Sequence, residues 1–268
     1  MDIWTSIIAT FALMLVVAGA GSLLAKQLPE AWLGEGSIMS LKASMAMVST
    51  MSALLLGLMV NSARYNFSEA YSDVQKYAAS IQLTDLELLN YGAAACGLRH
   101  TLQDYGQQLL AETWQNNADF SQARTDGSAL KVILRLDSQV RALEPSTESE
   151  KQARLSLLAF AHQLVEYRWK VSGLARTATP AIFIIVVISW FTLLFLYLGV
   201  FAPRNPLVAV GHVLAMIAIS AAIFLVIEMG EPFDGLIQVS PAPLVRLLHR
   251  MEAEPCPAPL ITPAAQPG

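Results

Sequence analysis

The chain has 268 residues, 54% of them hydrophobic and 14% charged, with a mean hydropathy of +0.48, which excludes an ordinary soluble globular protein. A formal net charge of -4 and the lack of any basic run exclude nucleic acid as a partner. Cys96 and Cys256 lie far apart with no metal-type spacing and are expected as free thiols in a reducing compartment.

Residues 4–25 form the first apolar run. At about 1.5 Å per residue it spans roughly 33 Å, enough for one bilayer crossing. The segment before it carries no Lys or Arg and the run is too long for a signal-peptide core, so an uncleaved helix is expected. Ala18-Gly19-Ala20-Gly21 makes a small-residue face that would let a neighbouring helix come close. A turn over 26–40 holds Pro29, Gly34 and Gly36, and Lys42 then heads the second span, its stem snorkelling back to the interface.

The stretch 45–77 begins as membrane helix and ends as soluble helix, with no proline and only Gly57 to interrupt it. Up to Val60 nearly every residue is apolar or small, and from Asn61 onward polar and charged residues recur. Arg64 sits one turn past the last aliphatic residue, where its guanidinium reaches headgroup phosphates. Glu69, Asp73 and Lys76 mark a water-facing side, and Phe67, Ala70, Tyr71, Val74, Tyr77 and Ala78 an apolar one.

Residues 61–179 show helical periodicity throughout. The first helix is expected to reach about Leu89, with Gly92 and Gly97 weakening the pattern without ending it. An apolar series at helical spacing runs from Leu98 to Trp114, a second helix covers 128–143, and Thr147-x-x-Glu150 is a capping box opening a long last helix. Thr179 and Pro180 then start the third span, and Asn205-Pro206 starts the fourth by the same capping logic. Ser240-Pro241 opens a short terminal helix.

The expected architecture is an all-α membrane protein, with four transmembrane helices and a cytoplasmic helical bundle inserted between spans two and three. Residues 4–60 hold the first two spans, 61–179 the bundle, 180–229 spans three and four, 230–252 a tail motif with a short helix, and 253–268 a disordered tail rich in Pro and Ala. Arg64, Lys76, Arg168, Lys170, Arg176, Arg246 and Arg250 flank the membrane on the bundle side, against Lys26, Lys42 and Arg204 opposite. That bias predicts that the bundle and both termini lie in the cytoplasm.

Enzyme signatures are missing: there is no phosphate-binding glycine loop, no HExxH, no GxSxG and no paired-cysteine zinc spacing. No cofactor and no metal is expected. His100 with Asp104 and His162 with Glu166 each share a helix face, a weak metal pattern against the commoner reading of solvated polar neighbours. Glu228, Glu231 and Asp234 follow the fourth span directly; in an oligomer they could ring a pore mouth and attract cations, although an ordinary polar helix exit explains them as well.

Two stretches carry a resemblance. The exit from span two, Gly57-Leu58-Met59-Val60-Asn61-Ser62-Ala63-Arg64-Tyr65-Asn66-Phe67-Ser68-Glu69-Ala70, resembles the bestrophin-like family of bacterial multi-pass membrane proteins. So does the tail motif, in which Glu231-Pro232-Phe233-Asp234-Gly235 is followed by Ser240-Pro241. The resemblance covers about residues 40–250 and extends more distantly to the bestrophins, which are pentameric ion channels with a hydrophobic neck lined by the second span. It implies a homo-oligomer in the lipid bilayer, a pentamer if the distant likeness holds, that passes monovalent ions. It further implies that Leu55, Met59 and Ser62 face the pore, where apolar side chains gate by dewetting. The paired tryptophans of many bestrophins are absent, Tyr65 and Phe67 being the nearest aromatics, and no acidic calcium clasp is recognisable. The alternative, from another class, is a non-conducting scaffold or sensor whose bundle binds a partner protein.

Overall fold

A computed structural model describes residues 3–29, 34–115, 128–174, 180–203, 205–233, 235–254 and 256. Among these residues there is no strand. The helices are α1 (Ile3–Leu24), α2 (Glu35–Tyr91), α3 (Cys96–Leu110, prolonged by a π-helical turn Ala111–Gln115), α4 (Ser128–Arg141), α5 (Glu148–Leu174), α6 (Ala181–Phe201), α7 (Pro206–Gly230) and α8 (Ala242–Ala253). Four of them, α1, α2, α6 and α7, are long and apolar enough to cross a membrane. The chain divides into two compact units, one of residues 1–68 and 177–237, the other of 69–176 and 238–268.

In the first unit, α1 packs against α6 and α7. Met14, Met59, Val187, Phe191, Met216 and Ile223 form its buried cluster. Between α1 and α6 the backbones nearly touch. A Cβ on Gly21 would lie 2.6 Å from the Leu196 carbonyl oxygen, and one on Gly199 would collide with that of Ala18. The small-residue face of α1 thus works through Ala18 and Gly21, while Gly19 has open space around it. Several hydroxyls in this unit bond back to their own helix, Ser52 donating to the Val48 carbonyl at 2.7 Å and Thr192 to that of Ile188 at 2.7 Å, whereas the buried Ser220 Oγ has no partner among the described residues. Such back-bonding leaves few polar groups to be satisfied in hydrocarbon. Asn205 caps α7 as expected, its side-chain oxygen accepting from Leu207 N at 3.0 Å. The helix α6 begins at Ala181 with Pro180 in the cap position, and Thr179, the expected cap, lies outside the described residues.

The 57 residues of α2 form one helix, about 85 Å long and nearly three times the hydrocarbon thickness, so it must leave the bilayer. Its start is earlier than the glycines suggested, since Gly36 is already helical. Its end is sharper: Gly92 has φ 98°, a left-handed conformation that stops the helix where the sequence pattern showed only a weakening.

The second unit is built from residues 69–91 of α2 with α3, α4, α5 and α8. Ala70, Val74, Tyr77 and Ala78 are buried on one face of α2, as the apolar spacing predicted, and Ile81 and Leu88 continue that face, but Tyr71 is exposed. Asp73 is buried rather than water-facing, 3.6 Å from Lys76. The Tyr77 and Tyr105 hydroxyls share a hydrogen bond, and burial pushes the Tyr105 phenol up to about 12. Glu112, in the π-helical turn, accepts from Ala129 N and from Arg168 Nη2, each at 2.9 Å, and so ties the head of α4 to α5. The capping box forms: Glu150 N donates to Thr147 Oγ1 and Thr147 N to Glu150 Oε2, both at 3.2 Å.

Three ties fasten the end of the tail motif and the segment after it to α3 and its π-helical turn. Trp114 Nε1 donates to the Val239 carbonyl at 2.7 Å. Arg99, buried beside Asp85 with Nε to Oδ1 at 2.6 Å, also donates to the Glu254 carbonyl. Cys96 and Cys256 form a disulfide. This corrects the expectation of two free thiols: sequence separation says nothing about distance once α8 folds back along α3. The remainder of the expected disordered tail lies outside the described residues.

Candidate functional site

The bilayer-crossing part of α2 is apolar all round, so its sequence cannot say which face meets other helices. Packing decides it. Met59 is 6% exposed, buried with Ala63 in the first unit's cluster, and Leu55 is partly buried against the same cluster. Ser62 and Arg64 are exposed. Of the three residues expected at a pore, then, Ser62 lies on the open face, Leu55 is partly buried and Met59 lies in the chain's own core.

The open face is a ribbon of large apolar side chains. Met47, Met51, Leu54, Leu58 and Tyr65 recur at intervals of three, four and seven residues and are 60–69% exposed, with Ser62 one turn beyond Leu58. Sequence reading missed Met51, Leu54 and Leu58, because in a uniformly apolar helix no periodic signal separates them from Leu55 and Met59. Across the four candidate spans only 11–22% of the most apolar window is buried within the chain, so lipid or further copies must cover the rest.

The second feature is the turn after α7. Glu228 lies in the last turn of α7 and is 2% exposed. Its Oε1 accepts from Leu236 N and, at 2.9 Å, from Ile237 N, folding the tail motif back onto the helix end. Gly235, at φ 90°, has no room for a Cβ against that carboxylate and needs the left-handed backbone. Pro232 and Phe233 are buried, while Glu231 is exposed. Asp234 lies outside the described residues. Ser240 Oγ accepts from Ala242 N at 3.2 Å, and the Pro241 carbonyl accepts from Leu244 N and Val245 N, both at 3.0 Å, opening α8. Glu228 is therefore engaged by backbone, and of the expected acidic trio Glu231 is the described member whose side chain meets solvent.

The histidine pattern does not converge. Among the described residues no group of three or more His, Cys, Asp or Glu side chains could hold a metal ion, and His162 lies 4.0 Å from Asp137 instead.

Two crystal structures, both of variants of a bacterial bestrophin homologue from Klebsiella pneumoniae, are similar to the chain with TM-scores of 0.65 and 0.62 at 15% and 13% sequence identity. The alignments cover 94% of this chain, and 96% and 98% of theirs. A crystal structure of a membrane protein matches with a TM-score of 0.60 at 14% identity, covering 94% of this chain and 96% of that one. Identities this low establish the fold. No curated protein sequence matches the chain. The Bestrophin-like domain matches over residues 40–244, from the membrane part of α2 to the start of α8, and the chain belongs to that family.

Proposed function

We propose that the chain is one subunit of an ion channel in the bacterial inner membrane, made of several copies, with the open face of α2 turned to a shared axis. The observation that carries this reading is the exposed ribbon Met51, Leu54, Leu58 on a membrane helix, ending in Ser62 and Asn61. Arranged around an axis, such side chains form a hydrophobic neck that closes by dewetting. In this arrangement Leu55 and Met59 support the neck from behind, and Ser62 stands at its polar end. Arg64 and Glu231, both exposed, are the charges available to bias which small monovalent ion enters.

The test is single-channel recording of purified protein in planar bilayers. Leu58→Ala is expected to raise conductance or open time, and Met59→Ala to leave conductance near the wild-type value. Larger currents in Met59→Ala alone would move the neck to the Leu55 and Met59 face. Silence in every variant, from protein that is folded and oligomeric, would favour a scaffold whose helical unit binds a partner.

Two observations bear on orientation and pull apart. The Lys/Arg bias favours a cytoplasmic second unit and cytoplasmic termini. The disulfide between Cys96 and Cys256 favours an oxidising compartment for the same unit. We favour the charge bias, because it acts at every loop during insertion. In intact cells a membrane-impermeant amine reagent should then fail to label Lys131 and Lys151; labelling of both would reverse the orientation.

A further inference from the structure

Within the second unit, α2 and α8 leave a cleft of about 330 Å³ between them. Its lining is unusual for a helix seam. Gln75 and Gln82 come from one face of α2, Ala78 and Ala79 between them keep the floor low, and Arg246 and Arg250 come from α8. The apolar side of α8 is already used, with Leu244, Leu247, Leu248 and Met251 buried.

Arg246 and Arg250 are one turn apart and both exposed, an arrangement in which like charges repel. Neither has an acidic partner among the described residues. Of the acids on these helices, Asp85 pairs with Arg99, Asp73 with Lys76, and Glu252 lies 3.7 Å from His249, while the exposed Glu254, four residues after Arg250, forms no ion pair with it. A cleft of binding-site size thus holds two uncompensated guanidiniums facing two carboxamides, in a chain whose net charge is -4.

We propose that this cleft binds a small soluble phosphate monoester, its phosphoryl group held by Arg246 and Arg250 and a hydroxyl or amide of its other half met by Gln75 and Gln82. Charge count selects the ligand class. A monoester carries about -1.5 to -2 at neutral pH and balances two guanidiniums, whereas a carboxylate or a lipid phosphodiester carries one charge. Guanidinium forks also match phosphate oxygens in geometry, and the carboxamides supply both donors and acceptors. The site is independent of the channel reading, since no residue of the α2 ribbon lines it.

Calorimetric titration of the full chain in nanodiscs, with inorganic phosphate and with glycerol phosphate, tests this. Saturable binding of one glycerol phosphate per chain is expected, tighter than inorganic phosphate and much tighter than acetate. Arg246→Gln and Arg250→Gln should each weaken it about tenfold or more, and Lys131→Gln, at an exposed site on α4, should leave it unchanged. Discs containing phosphatidylglycerol should give the same affinity. No saturable binding, equal affinity for acetate, insensitivity to both arginine variants, or competition by that lipid would each overturn the assignment. If the glutamine variants fail to fold, protection of the two wild-type arginines from phenylglyoxal by glycerol phosphate decides the question, and lack of protection would sink the proposal.

Discussion

Between α1 and α6 the closest approaches are backbone against glycine, at Gly21 on Leu196 and at Gly199 on Ala18. In the second unit the distinctive contacts are polar: Arg99 with Asp85, Glu112 with Arg168, Trp114 with the Val239 carbonyl, Tyr77 with Tyr105. The contrast follows from what surrounds each unit. Hydrocarbon gives apolar side chains no reason to prefer one another over lipid, so helices associate there by close van der Waals fit. The charged surface of the second unit marks it as water-exposed, where apolar burial drives collapse and polar pairs select one arrangement of the helices.

If that contrast is right, the two units break in different ways. The largest effect is expected for Arg99→Ala, which strands the Asp85 carboxylate in a buried site and also releases the Glu254 carbonyl. A loss of about 3–5 kcal/mol is expected in urea unfolding of the second unit, read by Trp114 fluorescence. Gly199→Val should cost about 3 kcal/mol in the first unit, because backbone rather than a movable side chain meets the new Cβ. Gly19→Val is the matched control, with open space at the site and an expected change near zero. Thermal unfolding in detergent compares the two, and equal melting temperatures would remove the argument for close backbone packing.

Glu228→Ala tests the exception, a polar tie inside the first unit. It removes the acceptor for two N–H groups, at an expected cost of about 2 kcal/mol, with faster amide exchange at Leu236 and Ile237. Glu228→Gln keeps an acceptor and should recover most of that. A pore-mouth role would instead make both variants change ion selectivity equally. The smallest effect concerns alkaline pH. Tyr105 ionises near 10 when unfolded and near 12 when folded, so its contribution to stability is fully present below pH 10 and is lost as pH rises towards 12. Tyr105→Phe should flatten that slope in the unfolding free energy, and an unchanged slope would mean that another group controls it.

Local features were legible because their causes are local. Span lengths answer to bilayer thickness, and the Thr147–Glu150 and Asn205 caps satisfy N–H groups within a few residues of themselves. The apolar face of α2 around Ala70, Val74 and Tyr77 was legible for the same reason, since one helix turn suffices to define it. Asp73 went the other way because its burial depends on neighbours that no local pattern names. The sequence by itself determined four apolar spans, a polar helical segment continuous with the second, and the residues that carry the family likeness. Only the tertiary structure decided that Met59 turns inward while Leu58 stays open, that Cys96 meets Cys256, and that the Glu228 carboxylate closes the turn at Gly235. A helix apolar on every side has no preferred face until its neighbours are in place, and contacts across 160 residues exist only once the chain has folded.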